Sequence, residues 1–207
     1  MRERKIRLGK LMVWGIALSS LILYLFTGDK MYYFLFAFTA SVLILSFLLS
    51  SKDDEREIVK NSKVLLSPAD GKVIDVKKNG VSIFMSLFDA HTVRSPCKGK
   101  VVEIKKIKGG HLPAFLKRTD ERNERVIIFL EHEGERVVLN LVSGMLARTV
   151  LCDVEKGKVV EQGEKVGTIV LGSRVDVEFS DIWTATISKG QKVKSGLSVI
   201  ARKRVSA

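Results

Sequence analysis

A ten-residue internal repeat places the strongest constraint on how this chain can fold. Ser67–Val76 reads SPADGKVIDV and Ser95–Ile104 reads SPCKGKVVEI, so five positions are identical and the last three are conservative pairs. Each copy has a proline, a glycine turn and then a short strand pattern. A third stretch, Val154–Gly167, carries glycines in a related rhythm. Repeats of this kind favour quasi-symmetric sheets folded over one another.

The rest of the chain after residue 61 is also dense in strand patterns separated by glycine and proline. We predict a mainly β fold, a barrel-sandwich-like soluble domain over residues 62–207, similar in pattern to lipoyl and biotinyl carrier domains. We expect at most one short helix, at His111–Arg118. The predicted strands are Val64–Leu66, Lys72–Val76, Val81–Phe84, Lys100–Ile107, Arg125–Leu130, Arg136–Leu141, Lys165–Leu171 and Arg174–Phe179.

The first 51 residues predict a membrane-anchoring helical hairpin. A basic segment at residues 2–10 precedes two uncharged segments, Leu11–Gly28 and Met31–Ser51. About 20 apolar residues span the hydrocarbon core of a bilayer, and aromatic residues near the segment ends suit its interfaces. We expect a transmembrane hairpin in the cell membrane, with a re-entrant hairpin as the alternative. The basic N-terminus places the following domain on the cytoplasmic side, after a charged linker at residues 52–61.

Charge and cysteine content narrow the classes of partner. The chain has 35 Lys and Arg against 23 Asp and Glu, a net charge of +12. The basic residues are spread out and few aromatic residues accompany them, which favours an anionic lipid surface over nucleic acid. Cys97 and Cys152 lie far apart and form no C-x-x-C motif, so we expect neither a disulfide nor a metal site.

Gly172-Ser173, between the last two of these predicted strands, is a candidate reactive site. The ordinary interpretation is a turn or bulge in which glycine permits an unusual bend. The alternative is that this peptide bond is itself a substrate, because the serine hydroxyl can attack the preceding carbonyl carbon and form an ester. β-Elimination and hydrolysis of that ester would leave a pyruvoyl group, an electrophile that reacts with amines. The two residues alone leave both interpretations open.

A serine that attacks its own backbone needs a base, and the chain offers few candidates. Histidine is the usual general base, and a carboxylate often orients it. His91 follows a predicted strand, Asp70 lies in a Ser-Pro-Ala-Asp-Gly turn, and Asp89 is a second candidate carboxylate. A histidine with no catalytic function and an Asx-turn aspartate are the ordinary alternatives.

Five segments together resemble phosphatidylserine decarboxylases, especially the short form of archaea and many bacteria, which includes archaetidylserine decarboxylases. They follow the same order as in that family and span most of residues 58–180. Members are made as proenzymes, cleave themselves before a serine, and use the resulting pyruvoyl group as their cofactor. The segments are Ser67-Pro-Ala-Asp-Gly71, Phe84-Met-Ser-Leu-Phe-Asp-Ala-His91, Asn123-Glu-Arg125, Ser143-Gly-Met-Leu-Ala-Arg148 and Leu171-Gly-Ser-Arg-Val-Asp-Val177.

The resemblance implies that the chain is cleaved between Gly172 and Ser173. The products would be a β chain, residues 1–172, and an α chain, residues 173–207, held together as a heterodimer. Ser173 would become the pyruvoyl group that forms a Schiff base with the substrate. We expect the α chain to contribute strands at Val175–Trp183 and Val193–Ala201 to the same sheet system.

The resemblance also implies roles for residues outside the cleavage site. Asp70 and His91 match the positions proposed to activate the serine, and His91 is the expected proton donor in decarboxylation. Arg94 stands where longer members have a second histidine, which leaves open whether His91 serves both steps. Arg94 is a candidate ligand for the substrate's phosphate, with an ordinary salt bridge as the alternative. Asn123 and Arg125 match a family motif and are also candidate substrate-binding residues.

The implied reaction converts a serine phospholipid in the bilayer, phosphatidylserine or archaetidylserine, to the ethanolamine phospholipid. The sequence does not distinguish diacyl from ether lipids, and homo-oligomers are compatible with it. Two other hypotheses remain: a membrane-anchored lipoyl- or biotinyl-like carrier and a non-catalytic adaptor. A carrier needs a lysine at a hairpin tip, and Lys72, Lys98 and Lys100 lack the expected flanking residues.

Overall fold

The computed structural model describes residues 56–86, 89–110, 123–144, 150–169 and 173–204, with single residues and short groups between 27 and 44. The chain divides into two compact units, Met1–Leu49 and Ser50–Ala207. The described residues of the first unit are helical. Among the described residues, no helix combines the length and apolar character needed to cross a membrane. Most of the predicted hairpin, residues 1–51, lies outside the described residues, as does the predicted helix at His111–Arg118.

The second unit is mainly β, which confirms the predicted class. Most of the predicted strands are present, and the longer ones keep their predicted bounds to within one or two residues. The described strands are β1 Val64–Leu66, β2 Gly71–Lys77, β3 Gly80–Met85, β4 Thr92–Arg94, β5 Gly99–Ile107, β6 Arg125–His132, β7 Glu135–Val142, β8 Val150–Cys152, β9 Val159–Val160, β10 Lys165–Ile169, β11 Ser173–Phe179, β12 Trp183–Ala185, β13 Lys192–Val193 and β14 Val199–Lys203.

These strands form one large sheet and two small ones. The large sheet has the order β13-β2-β3-β11-β7-β6-β5-β9, and the small sheets have the orders β1-β14-β12 and β4-β10-β8. Strand β11 is therefore central, paired antiparallel with β3 on one side and with β7 on the other. Alternate residues of β6 and β7 are buried, as expected for strands with one face on a core.

The internal repeat has matching structures in its two copies. The hydroxyls of Ser67 and Ser95 each donate to the carbonyl oxygen two residues further on, at 2.7 Å. The carbonyl oxygen of each serine accepts from a glycine, Gly196 for Ser67 and Gly163 for Ser95, both at 2.8 Å. Both glycines have positive φ, 74° and 80°, a conformation that side chains disfavour. Each copy also contains the start of a long strand, β2 in the first copy and β5 in the second. Strand β2 pairs with the short edge strand β13, and β5 pairs with the short edge strand β9.

Two predicted strands of the C-terminal part are wrong in their extent. The predicted strand Val175–Trp183 ends at Phe179, and a turn separates it from β12. The predicted strand Val193–Ala201 is split into β13 and β14 because the chain turns at residues 195–197, where Gly196 has positive φ. Moreover, β12 and β14 belong to a small sheet with β1, not to the large sheet.

Candidate active site

Ser173 is the first residue of the central strand and is fully buried. It pairs with Met85 of β3, and its hydroxyl donates to the thioether sulfur of that residue at 3.3 Å. A thioether is a weak acceptor, so the hydroxyl is held in place without a strong acceptor competing for its proton. This arrangement suits a serine that must give up its proton to a base.

His91 lies just before β4 and is also fully buried. Its carbonyl oxygen accepts from the backbone N–H of Ile169 at 3.1 Å. Ile169 is the last residue of β10, and only three residues separate it from Ser173. The pairing of β4 with β10 thus brings the backbone of His91 next to the chain that leads into Ser173.

Burial lowers the pKa of His91. The charges of Asp89 and Asp70 and a hydrogen bond to the backbone of Asp89 oppose that shift without cancelling it. Loss of hydration disfavours the charged imidazolium in a buried site. His91 is therefore neutral at pH 7 and can accept a proton.

Asp70 acts on His91 through its charge, and its carboxylate accepts hydrogen bonds from other residues. Its two oxygens accept from the guanidinium of Arg56 at 2.6 and 2.8 Å. One of them also accepts from the backbone N–H of Ser195 at 2.7 Å. Asp70 thus joins the linker before the domain to a loop of residues 173–207, the predicted α chain. Asp89 instead accepts from the backbone and hydroxyl of Ser86, both at 2.7 Å.

The three candidate substrate-binding residues differ in whether their polar groups already have hydrogen-bond partners within the protein. Arg94 donates to the carbonyl oxygen of Gly163 at 3.1 Å. The buried amide of Asn123 donates to the carbonyl oxygen of Ser143 at 2.7 Å. Arg125 has a buried guanidinium nitrogen, Nη1, with no hydrogen-bond partner among the described residues. This nitrogen leaves Arg125 with a donor for a ligand.

Two side-chain arrangements near this site were not predicted from the sequence. One is the ion pair between Arg56 and Asp70, whose partners are 14 residues apart. The other joins Arg174 and Asn140 to the carboxylate of Asp176, with the arginine at 2.9 Å. Arg174 and Asp176 alternate with buried valines in a strand pattern, and that alternation was the only available signal that they share a face.

Comparison with known proteins assigns the family. The family model for phosphatidylserine decarboxylase matches residues 43–201. The chain belongs to the phosphatidylserine decarboxylase family. A phosphatidylserine decarboxylase proenzyme of Solibacter usitatus is 36% identical over 173 residues, which cover 82% of this chain and 84% of the relative. A protein of Methanosarcina mazei named as an archaetidylserine decarboxylase proenzyme is 39% identical over 150 residues, 72% of each chain. A phosphatidylserine decarboxylase proenzyme of Chlorobium limicola is 37% identical over 173 residues, 78% of this chain and 82% of the relative.

Membership in the phosphatidylserine decarboxylase family agrees with the resemblance found in the sequence. The matched region contains all five of the segments on which that resemblance rests. It also contains Ser173, His91 and Asp70, whose individual roles remain predictions.

Proposed function

We propose that this chain is a self-cleaving, pyruvoyl-dependent decarboxylase of a serine phospholipid, either phosphatidylserine or archaetidylserine. Its family and its relatives, which are named as proenzymes, support a decarboxylase. The observation that carries the proposal is the placement of a buried Ser173 four residues beyond Ile169, whose backbone contacts that of a buried, neutral His91.

In the proposed cleavage, Ser173 Oγ attacks the carbonyl carbon of Gly172 while His91 accepts the hydroxyl proton. The C–N bond then breaks, the amine takes a proton, and the chain is joined through an ester. Loss of the Ser173 α-proton expels the carboxylate of Gly172, which becomes the end of the large fragment. Water then replaces the nitrogen of the resulting dehydroalanine, ammonia leaves, and the small fragment begins with a pyruvoyl group.

Pyruvoyl formation also fits the position of Ser173. The pyruvoyl carbonyl supplies an electron sink for the bond between the substrate's α-carbon and its carboxylate, as a bound cofactor does in other decarboxylases. Ser173 and its neighbour Met85 are buried, so water is excluded from the pyruvoyl carbonyl carbon that would form at residue 173. The exclusion of water strengthens electrostatic interactions there. We assign to His91 the return of a proton to the α-carbon after carbon dioxide leaves.

We also propose that the chain works at the cell membrane, with residues 62–207 on the cytoplasmic side. A serine phospholipid keeps its apolar chains in the bilayer, so the head group must be reached at the membrane surface. The two uncharged segments before residue 52 and the net charge of +12 support an anchor and an anionic surface.

Intact mass spectrometry of the purified protein tests the proposal. The unprocessed chain is 23.1 kDa, and division by length predicts fragments of roughly 19 and roughly 4 kDa. The smaller fragment should lack a free N-terminal amine. Ser173→Ala should remain one chain, whereas Ser188→Ala, at an exposed serine of the same fragment, should be processed normally. A single unmodified wild-type chain would contradict the proposal and favour an adaptor, and a lysine carrying a lipoyl or biotinyl mass would favour a carrier.

A further inference from the structure

Arg125 has an unpaired donor in a partly buried position. Its Nη1 is buried and has no hydrogen-bond partner among the described residues. A buried donor on a charged group that lacks an acceptor costs free energy, typically more than a neutral donor does. Such a group is easiest to explain when a ligand supplies the acceptor.

Arg125 lines a groove on the outer face of the large sheet, the face turned away from the core. The groove has a volume of about 1150 Å³, and five basic and three acidic side chains line it. Among these, Arg174 is already paired with Asp176 at 2.9 Å, and Asn140 donates to the same carboxylate. Arg125 has no such acidic partner among the described residues, and its buried Nη1 leaves a donor for an anion.

The register of the sheet places Arg125 near the reactive end of β11. Arg125 of β6 and Arg174 of β11 both pair with Val142 of β7. Paired residues share a face, and two strand spacings make the backbone separation of the two arginines about 10 Å. Arg174 directly follows Ser173, so Arg125 lies at the same end of the sheet as the residue expected to become pyruvoyl.

Ser173 faces the core and Arg125 faces the groove, on opposite faces of the sheet. Both residues nevertheless lie at the end of the sheet where β11 begins. Cleavage would make residue 173 the free end of that strand, so its reactive carbon could be approached past the strand end. A serine phospholipid carries its phosphate only four bonds from the amino nitrogen. A phosphate held beside Arg125 would then extend from the groove toward that carbon.

We propose that the outer groove binds the phosphodiester of the substrate head group, with Arg125 as its principal charged contact. This inference rests on the proposed function, because it names the subsite for the same substrate. An arginine suits the task because its planar guanidinium can donate two parallel hydrogen bonds to phosphate oxygens. The contact forms with bound substrate before the reaction and therefore contributes mainly to affinity.

Steady-state kinetics on phosphatidylserine in mixed detergent micelles test the inference. Arg125→Gln should raise KM by roughly 10- to 100-fold, the loss expected for a charge-assisted hydrogen bond, with little change in kcat. Arg125→Lys should recover part of that loss. The matched control is Arg136→Gln, at an exposed arginine at the other end of the β6–β7 hairpin whose guanidinium lies 5.3 Å from the Phe129 ring. It should change KM by no more than about two-fold.

Competition by inorganic phosphate distinguishes a head-group site from a site for free phosphate alone. Phosphate should compete with the lipid in the wild type and much less in Arg125→Lys. An unchanged KM in Arg125→Gln would overturn the inference, even if phosphate binds the wild type. Should Arg125→Gln fail to fold, Arg125→Lys and competition in the wild type decide the question.

Mass spectrometry of each variant separates the two proposals. An uncleaved, inactive wild type contradicts the proposed function, whereas a cleaved, active protein with normal KM in the Arg125 variants contradicts only the subsite.

Discussion

The protonation of His91 should set the acid limit of self-cleavage. Burial holds its pKa below the ordinary value of about 6.5, so the imidazole is neutral and able to accept a proton at pH 7. The cleavage rate should be nearly constant above neutral pH and fall as the pH drops below that ordinary value, where the imidazole becomes protonated. The rate can be followed by intact mass spectrometry after synthesis of the proenzyme in a cell-free system buffered at different pH values.

His91→Gln should abolish cleavage at every pH. His132→Gln provides a matched control because His132 is also buried, but its Nδ1 donates to the carbonyl oxygen of Lys98, 2.6 Å away, and its ring lies beside Trp183. This control should cleave with the same pH dependence as the wild type. Cleavage in the His91 variant at the wild-type rate would assign the role of base to another group.

The sequence identified Ser173 and His91 as candidates because each lies in a segment with a recognisable chemical pattern. It could not provide the partners of Asp70, because Arg56 and Ser195 are 14 and 125 residues away along the chain. From its position in a turn motif, Asp70 was interpreted as the carboxylate that orients His91. In the folded chain its carboxylate instead binds the guanidinium of Arg56 and the backbone N–H of Ser195. Asp70 acts on His91 through its charge, which favours the imidazolium.

At the level of elements, residues 56–61 form a strap that contacts the loops at residues 161–163 and 195–196. Arg56 binds Asp70 and also donates to the carbonyl oxygen of Ser195 at 2.8 Å. A side chain added at Gly163 or Gly196, the two glycines that donate to the serines of the repeat, would contact Ile58 closely. The strap thus fills the space that these two glycines leave open, and through Arg56 it holds the loop at Ser195 beside Asp70.

Removing Arg56 should destabilise the domain and change the titration of His91. The side chains of Arg56 and Asp70 are only 10% and 15% exposed, so Arg56→Gln should lower the free energy of unfolding by about 2–3 kcal/mol. Without its arginine, the charge of Asp70 would act more strongly on His91 and raise its pKa, because Asp70 favours the imidazolium. The acid limit of cleavage should therefore move to higher pH.

Urea unfolding of Arg56→Gln in a Ser173→Ala background measures how much the strap contributes to the free energy of unfolding of an uncleaved chain. Lys60→Gln is the matched control because the pair of Lys60 with Glu161 is 60% and 41% exposed, and such a pair contributes little. Equal losses for the two variants would show that Arg56 contributes no more than a surface ion pair.

Element prediction worked best where alternation is long and missed several of the short strands. The eight-residue strands β6 and β7 were predicted to within two residues, since each repeats the inside-outside pattern several times. Strands of two or three residues, such as β4, β9 and β13, offer too few positions for a pattern. Strand β4 nevertheless brings His91 to the site, so the element that matters most for the chemistry was among those missed.

At the scale of the whole molecule, the proposed cleavage would convert one chain into two without breaking the fold. The small fragment, residues 173–207, contains β11 in the centre of the large sheet, paired on both sides with strands of the large fragment. It also contributes β13 to one edge of that sheet and β14 as the partner of β1. Four strand pairings, made by three strands of the small fragment, would hold it after the covalent link is lost.

We expect the two fragments to co-elute in size-exclusion chromatography at the volume of uncleaved Ser173→Ala. Added salt at about 1 M should leave them together, because it screens exposed charges over a few ångströms but does not disrupt backbone pairing or the apolar core that Val175 and Val177 share with the large fragment. Denaturant should separate them, because it exposes that core. Release of the 4 kDa fragment, roughly the size predicted from its length, by salt alone would show that ion pairs between the fragments, such as Lys78 with Asp181 and Lys203 with Glu133, and not strand pairing, hold the processed molecule together.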